Sequence, residues 1–250
     1  MQKLKRSFTA ICLFATLITL PELISGNEKN KLDAEKSKAT LSTLNHSSAM
    51  ALEAEAASLY DALALGGDIN MKTLLYALKG FKYLQAKGML SNENLLSIVD
   101  LSQSSKKKRL YIIDVNERKL VYNTYVAHGR NSGAEYATSF SNSMESHKSS
   151  LGFYVTSNTY QGSHGLSLRV EGVEKGFNDN ALERAIVVHG ANYLGDNFLR
   201  HSPFSGRSWG CPAVPQAETT KVINIIKGGS CLFIYYPADN YLTRSSILNT

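Results

Sequence analysis

Cysteine is scarce in this chain: three residues, of which Cys12 falls in an N-terminal leader-like stretch, so that only Cys211 and Cys231 remain to form a pair. No disulfide framework is available, and the fold must rest on a hydrophobic core. There is no Cys-x-x-Cys and no His-Glu-x-x-His, so His128, His164, His189 and Cys211 carry no zinc pattern, and neither metal nor cofactor is expected. A glycine-rich phosphate loop is missing, as are RNP-like, zinc-finger and basic-helix patterns, which argues against nucleic acid as a partner. The sequence has no internal repeat. Its longest apolar run is too short for a confident membrane span.

What is present suits a globular protein: 43% hydrophobic and 19% charged residues over 250 positions supply one sizeable core plus a smaller element. Residues 1–6 are basic, 8–20 (FTAICLFATLITL) have the length of a signal-peptide core, and Pro21 breaks the run. This predicts an exported protein with a leader removed near Gly26, located in the periplasm or cell envelope. Removal takes away three cations and Glu22, lowering the formal charge from +6 to +4. A mildly basic exported protein is drawn to polyanions such as a cell wall.

Residues 27–48 are polar and read as a linker. Leu52, Ala56, Leu59 and Leu63 then recur at helical spacing until Gly66-Gly67, and Leu74, Leu78, Phe81 and Leu84 repeat the pattern behind the possible caps Asp68 and Asn70. The expectation for 49–105 is a helical hairpin and connector packed on the main domain. Lys106-Lys107-Lys108-Arg109 reads as a solvated boundary. Beyond it, 110–115 and 120–126 form a β-hairpin around Asn116-Glu117-Arg118, and further strands are expected at 153–156, 166–170, 185–188 and 231–236. A helix begins near Pro215, buries Val222, Ile225 and Ile226, and stops at Gly228-Gly229. The tail at 239–250 is polar and reads as peripheral. The sum over 106–238 is a mainly β domain with one short helix.

Two segments carry possible chemistry. Cys211 lies between Gly210 and Pro212 on a tight turn, and His189 follows the apolar run Ala185-Ile186-Val187-Val188. A thiol of ordinary pKa, about 8.5, needs a neighbouring base to attack at neutral pH. A strand-held imidazole could be that base, oriented by the carbonyl of Gly190, while the amides of Gly210 and Cys211 face an oxyanion. Each residue also has a plain structural reading, and spacing alone leaves the two in balance. Cys231, opening a buried run, behaves as a small hydrophobe. Arg207 either binds a carboxylate or braces its turn. His164 is borne on a loop and could line the cleft; Tyr160 and Tyr193 wall the groove or fill the core; His128 and His201 read as structural or exposed.

These residues resemble the murein L,D-transpeptidase catalytic-domain family, whose hallmark is His-Gly or His-Ser, a variable loop, then Ser/Thr-His-Gly-Cys. Here it is His189-Gly190, a loop to Arg207, then Ser208-Trp209-Gly210-Cys211. Tyr111-Ile112-Ile113-Asp114 and Val126-Ala127-His128-Gly129-Arg130 look like the family's opening strands, and Ser150-Leu151-Gly152-Phe153 takes the place of its Thr-Pro-x-Gly-x-Phe. The likeness covers roughly 108–237. Trp209 stands where many members have His, and Pro212 where they have an apolar residue, which marks a divergent Gly-Arg-Ser-x-Gly-Cys-Pro branch. The resemblance implies an L,D-transpeptidase-like β-sandwich over 106–238, preceded by the helical hairpin. It also implies acyl transfer on peptidoglycan stem peptides to form 3→3 cross-links, with Cys211 as nucleophile and His189 as base; Arg207, Ser208, Trp209, His164 and Tyr160 are the candidate substrate contacts. The alternatives are an L,D-carboxypeptidase, a wall-attachment enzyme using the same nucleophile, or a non-catalytic wall-binding protein.

Overall fold

In the computed structural model residues 25–64 and 68–250 are described. The leader expected at 1–26, apart from its last two residues, and the Gly66-Gly67 turn lie outside them. No described helix is long and apolar enough to cross a membrane. The chain divides into two compact units, 1–49 and 50–250.

Helix α1 (Ser25–Leu63) runs through the stretch read as a polar linker. The difference has a simple origin: 27–48 contains neither Gly nor Pro, and half of its residues are Lys, Glu, Ala or Leu, which lose little entropy in a helix. Within the larger unit, Ala56, Leu59 and Leu63 form the buried stripe of the helix. Helix α2 (Met71–Ala86) is capped by Asn70, whose side chain accepts from the Lys72 amide at 2.8 Å. It buries Leu74, Ala77, Leu78, Phe81 and Leu84. Gly80 sits mid-helix because a Cβ there would fall 2.0 Å from the Phe153 ring.

The strands are β1 (Leu95–Asp100), β2 (Leu110–Asp114), β3 (Lys119–Thr124), β4 (Gly152–Gly162), β5 (Gly165–Gly172), β6 (Val187–Ala191), β7 (Ala213–Pro215) and β8 (Cys231–Tyr235). They make one continuous hydrogen-bonded sheet in the order β3-β2-β1-β8-β4-β5-β6-β7. The β1–β8 and β6–β7 pairs are parallel and the others antiparallel. The chain is therefore mainly β beyond the N-terminal helices, with short helices between strands: α3 (Asp196–Leu199), α4 (Thr219–Ile226, after a 3-10 turn at Gln216–Glu218) and α5 (Asp239–Arg244). Strand β1 was not among the expected strands, since Ser97 and Asp100 interrupt its apolar run; both are buried at the centre of the sheet. Phe153 and Phe233 stack across β4 and β8 at 4.1 Å and anchor the core.

Two surface expectations are corrected. Arg109, read as part of a solvated cluster, is 0% exposed. The tail read as peripheral is docked: Tyr241, Ile247 and Leu248 are buried. Its latch is Glu174, also buried, whose carboxylate accepts from the Phe153 amide (2.9 Å), the Tyr241 hydroxyl (2.8 Å) and the Ser245 hydroxyl. Burial raises the Glu174 pKa, and these donors oppose the rise. Glu174→Ala is expected to cost about 3 kcal/mol, because buried donors are left unpaired, and to make the segment after 238 sensitive to protease. Urea unfolding and limited proteolysis measure both.

Candidate active site

Sheet register assembles the site. Tyr160 on β4 pairs with Ser167 on β5, Ser167 with His189 on β6, and His189 with Ala213 on β7. Directly opposed residues share a face, so these side chains form one row across the sheet. Cys211 lies two positions before Ala213 and arrives beside Val187, two positions before His189. The β4–β5 hairpin turns at 163–164 and brings His164 over the row, where its ring stacks on His189 at 4.5 Å. Tyr160, Ser163, His164, Arg184, Ala185, Val187, His189, Tyr193, Arg207, Ser208, Trp209 and Cys211 line one cleft of about 640 Å³.

His189 is buried, and its Nδ1 lies 2.9 Å from the Gly190 carbonyl. A carbonyl only accepts, so Nδ1 carries the hydrogen of that bond and Nε2 is left as the basic nitrogen. Gly190 has no alternative: a Cβ would meet Thr219 Oγ1 at 2.2 Å and Gln216 Oε1 at 2.6 Å. Burial lowers the His189 pKa from its ordinary value of 6.5, the Gly190 bond opposes this, and His164 adds to it. The imidazole is neutral near pH 7, as a base must be.

Cys211 is a half-buried free thiol with Sγ 3.7 Å from the Ala185 carbonyl. Burial raises its pKa; the Val187 amide, the Arg184 charge and its own amide act in the opposite direction. The turn that carries it is braced by Ser208, whose hydroxyl accepts from the Gly210 amide (3.0 Å) and donates to the Cys211 carbonyl (2.7 Å). Gly210 adopts φ 124°, and a Cβ there would lie 2.9 Å from the Lys148 carbonyl. The Gly210 amide and the Ser208 hydroxyl are thus bonded to each other within the turn.

The remaining expected residues are distributed as follows. Tyr160 and His164 line the cleft, Tyr160 with Arg169 4.7 Å from its ring centre. Arg207 also lines it, while its guanidinium donates to the carbonyls of Arg130 (3.3 Å) and Gly133 (3.0 Å), so the turn-bracing role is present. Trp209 stands at the rim, 69% exposed, stacked on His147 at 5.0 Å. Tyr193 packs against Gly206 and its hydroxyl pKa rises to about 12 through burial. His201 is exposed. Cys231 is buried in β8 as a free thiol. Arg184, which sequence reading did not single out, lines the cleft. It lies in the connection between β5 and β6, with no periodic signal to distinguish it from other basic residues.

Beside the turn that carries Cys211 lies a buried pair. Arg109 donates to the Val126 carbonyl through Nε (3.1 Å) and Nη2 (3.0 Å) and to the Gln103 carbonyl through Nη1 (2.7 Å), and its Nη2 lies 2.7 Å from His128 Nδ1. His128 in turn accepts the Ser208 amide on its backbone carbonyl at 3.0 Å. Burial, then the Arg109 charge, lowers the His128 pKa to about 4, and burial lowers that of Arg109 to about 9.

A profile of the L,D-transpeptidase catalytic domain matches residues 66–235, spanning β1 to β8 and the whole cleft. The chain belongs to this family. No curated protein matches the sequence. Among solved structures, the L,D-transpeptidase from Mycobacterium smegmatis aligns at 10% identity with TM-score 0.35 over 57% of this chain and 59% of its own. The helical cell shape determining protein Pgp2 from Campylobacter jejuni aligns at 13% identity with TM-score 0.38 over 66% of this chain and 56% of its own. The L,D-transpeptidase from Stackebrandtia nassauensis gives 15% identity and TM-score 0.33 over 67% and 68%. The chain thus spans little more than half the length of the first two.

For this L,D-transpeptidase-family chain the buried imidazole predicts a pH effect on stability. Unfolded His128 binds its proton at about 6.5, the folded form only at about 4, so the unfolded state holds more protons in between. Stability is therefore full above about 6.5 and falls toward pH 4, by about 3 kcal/mol from this residue. Urea unfolding at pH 7 and pH 4.5 should show a smaller loss in His128→Gln than in the parent protein.

Proposed function

We propose that the protein is a cysteine-dependent acyltransferase acting on peptidoglycan stem peptides, an L,D-transpeptidase that forms 3→3 cross-links. The observation that carries this reading is one cleft holding a free thiol at Cys211 and a buried, neutral His189, in a chain of the L,D-transpeptidase family. The Cys211 thiol gives its proton to His189 Nε2, and the sulfur attacks the carbonyl of the diamino-acid residue in a tetrapeptide donor. The Cys211 amide supports the oxyanion. As the C–N bond to the terminal D-Ala breaks, the imidazolium returns the proton to the departing amine, leaving a thioester. A side-chain amine from a second stem then attacks, loses its proton to His189, and displaces the sulfur as the new amide forms. Water in place of that amine would release a tripeptide instead, making the protein an L,D-carboxypeptidase. Because the substrate is wall polymer, the site of action is outside the cytoplasm, in the periplasm or cell envelope, as the leader-like 1–26 also suggests.

Incubation with purified tetrapeptide, followed by chromatography and mass spectrometry, separates the outcomes. Cross-linked dimer is the expected product, tripeptide alone would indicate hydrolysis, and no product would contradict the reading. Cys211→Ala should abolish turnover. His189→Ala should lower kcat/KM by about 10²–10⁴, the range lost with a general base, without altering the folded structure by circular dichroism.

A further inference from the structure

Burial works against both halves of the Cys211–His189 pair: it raises the thiol and lowers the imidazole, so each prefers its neutral form. Moving a proton from sulfur to nitrogen creates a thiolate in a partly desolvated cleft. Something nearby must stabilise that charge.

Arg184 is the cation placed to do so. Its Nη1 donates to the Ser141 carbonyl (2.8 Å) and Ser150 Oγ (2.9 Å), and its Nη2 to the Lys148 carbonyl (2.6 Å) and Ser146 Oγ (3.3 Å). All four acceptors are neutral. Among the described residues no carboxylate forms an ion pair with it, so the guanidinium is fixed in place without its charge being cancelled. It also approaches the nucleophile turn. A Cβ on Gly210 would lie 3.2 Å from Nη2, so the glycine preceding the nucleophile leaves room for the guanidinium. The next residue, Ala185, is held at φ 52°, outside the usual range for a side chain, and its carbonyl is the one that contacts Sγ.

The other titratable groups around the sulfur do not duplicate this. His189 on β6 is neutral, and His164 reaches the cleft from the β4–β5 hairpin by stacking on it. Tyr160 and Tyr193 carry phenols. Arg207 is turned to the carbonyls of 130 and 133, and the Lys148 ammonium donates to Ser139 Oγ.

We propose that Arg184 is a positioning residue for the nucleophile, a clamped and uncancelled positive charge that stabilises the Cys211 thiolate while its four bonds hold the 141–150 segment against the cleft. This rests on Cys211 being the nucleophile of the reaction proposed above. Its test does not need turnover, so a failure here is distinct from a failure of the tetrapeptide assay.

The test is alkylation of the full chain by iodoacetamide between pH 5 and 10, read by peptide mass spectrometry at Cys211. Cys231, 0% exposed, reports any loss of fold by becoming reactive. In Arg184→Gln the midpoint of the rate profile should rise by about one pH unit, slowing alkylation about tenfold at pH 7 with the plateau at high pH unchanged. Arg184→Lys, which keeps the charge and loses the fork, should stay within about threefold of the parent at pH 7 while melting at a lower temperature. An unshifted midpoint in folded Arg184→Gln overturns the proposal, and so does a Lys variant that shifts as far as the Gln variant. If Arg184→Gln unfolds, the Lys variant decides alone: a rate within about threefold of the parent supports the proposal and a tenfold loss overturns it. Cys231 reactivity in the Lys variant as well would make Arg184 a brace for the fold, and would also overturn it.

Discussion

The site depends on the parallel pairing of β7 with β6, which sets His189 opposite Ala213 and so brings Cys211 alongside Val187. Strand side chains alternate between faces, so a one-residue slip would carry His189 to the other side of the sheet. Several features hold the register. Pro215 accepts the Thr219 hydroxyl on its carbonyl at 3.1 Å, and Thr219 with Gln216 packs so closely on Gly190 that only hydrogen fits there. On the other flank, β5 pairs with β6 through Ser167, and the β4–β5 hairpin extends past the edge of the row to bring His164 over the imidazole. A strand pairing, a glycine and a hairpin length thus set Cys211 and His189 in one cleft.

Electrostatics complete the arrangement. Burial raises the thiol and lowers the imidazole, so each side chain favours its neutral form, and the proposed reaction needs a proton to pass between them. Supports in the surrounding shell are neutral or clamped: Ser208 ties both ends of the nucleophile turn, the buried Arg109–His128 pair sits under it, and Arg184 bridges four acceptors beside it. Ser208 lies three residues before Cys211, and His128 and the four acceptors of Arg184 fall within the loops at 128–150. The loops are long, yet their polar groups are consumed by one another, which is how irregular chain remains ordered beside a cleft.

Much of the fold was legible because its strands are short apolar runs between turn residues, and its helices repeat apolar positions every three or four. The β2–β3 hairpin, the helix after Pro215 and the capped α2 all follow from such local patterns, whereas the strand expected at 185–188 begins only at Val187 and includes His189, since Ala185 is held at φ 52°. Strand β1 escaped because Ser97 and Asp100 break its apolar run and only tertiary pairing buries them. The segment at 27–48 looked like a linker because polarity says nothing about helix propensity, and half of its residues are good helix formers. Arg109 and Tyr241 were read from composition as surface, but each has buried partners far along the chain: Val126 and His128 for the one, Glu174 for the other. At the site, Cys211, His189 and Gly190 had local signals. Arg184 had none, and the commitments of Ser208 and the Gly210 amide are visible only in three dimensions.

In the proposed reaction Cys211 becomes acylated with His189 as its base, and the acyl-enzyme itself can be observed. The protein would be mixed with tetrapeptide donor, quenched in acid within the first turnovers, and weighed intact, with the modified peptide sequenced by fragmentation. The expected product is an adduct of the donor's mass less D-Ala, confined to Cys211, cleaved by hydroxylamine as a thioester, and strongly reduced in His189→Ala. An adduct on any other residue, or full acylation of the His189→Ala protein at the parent rate, would contradict it.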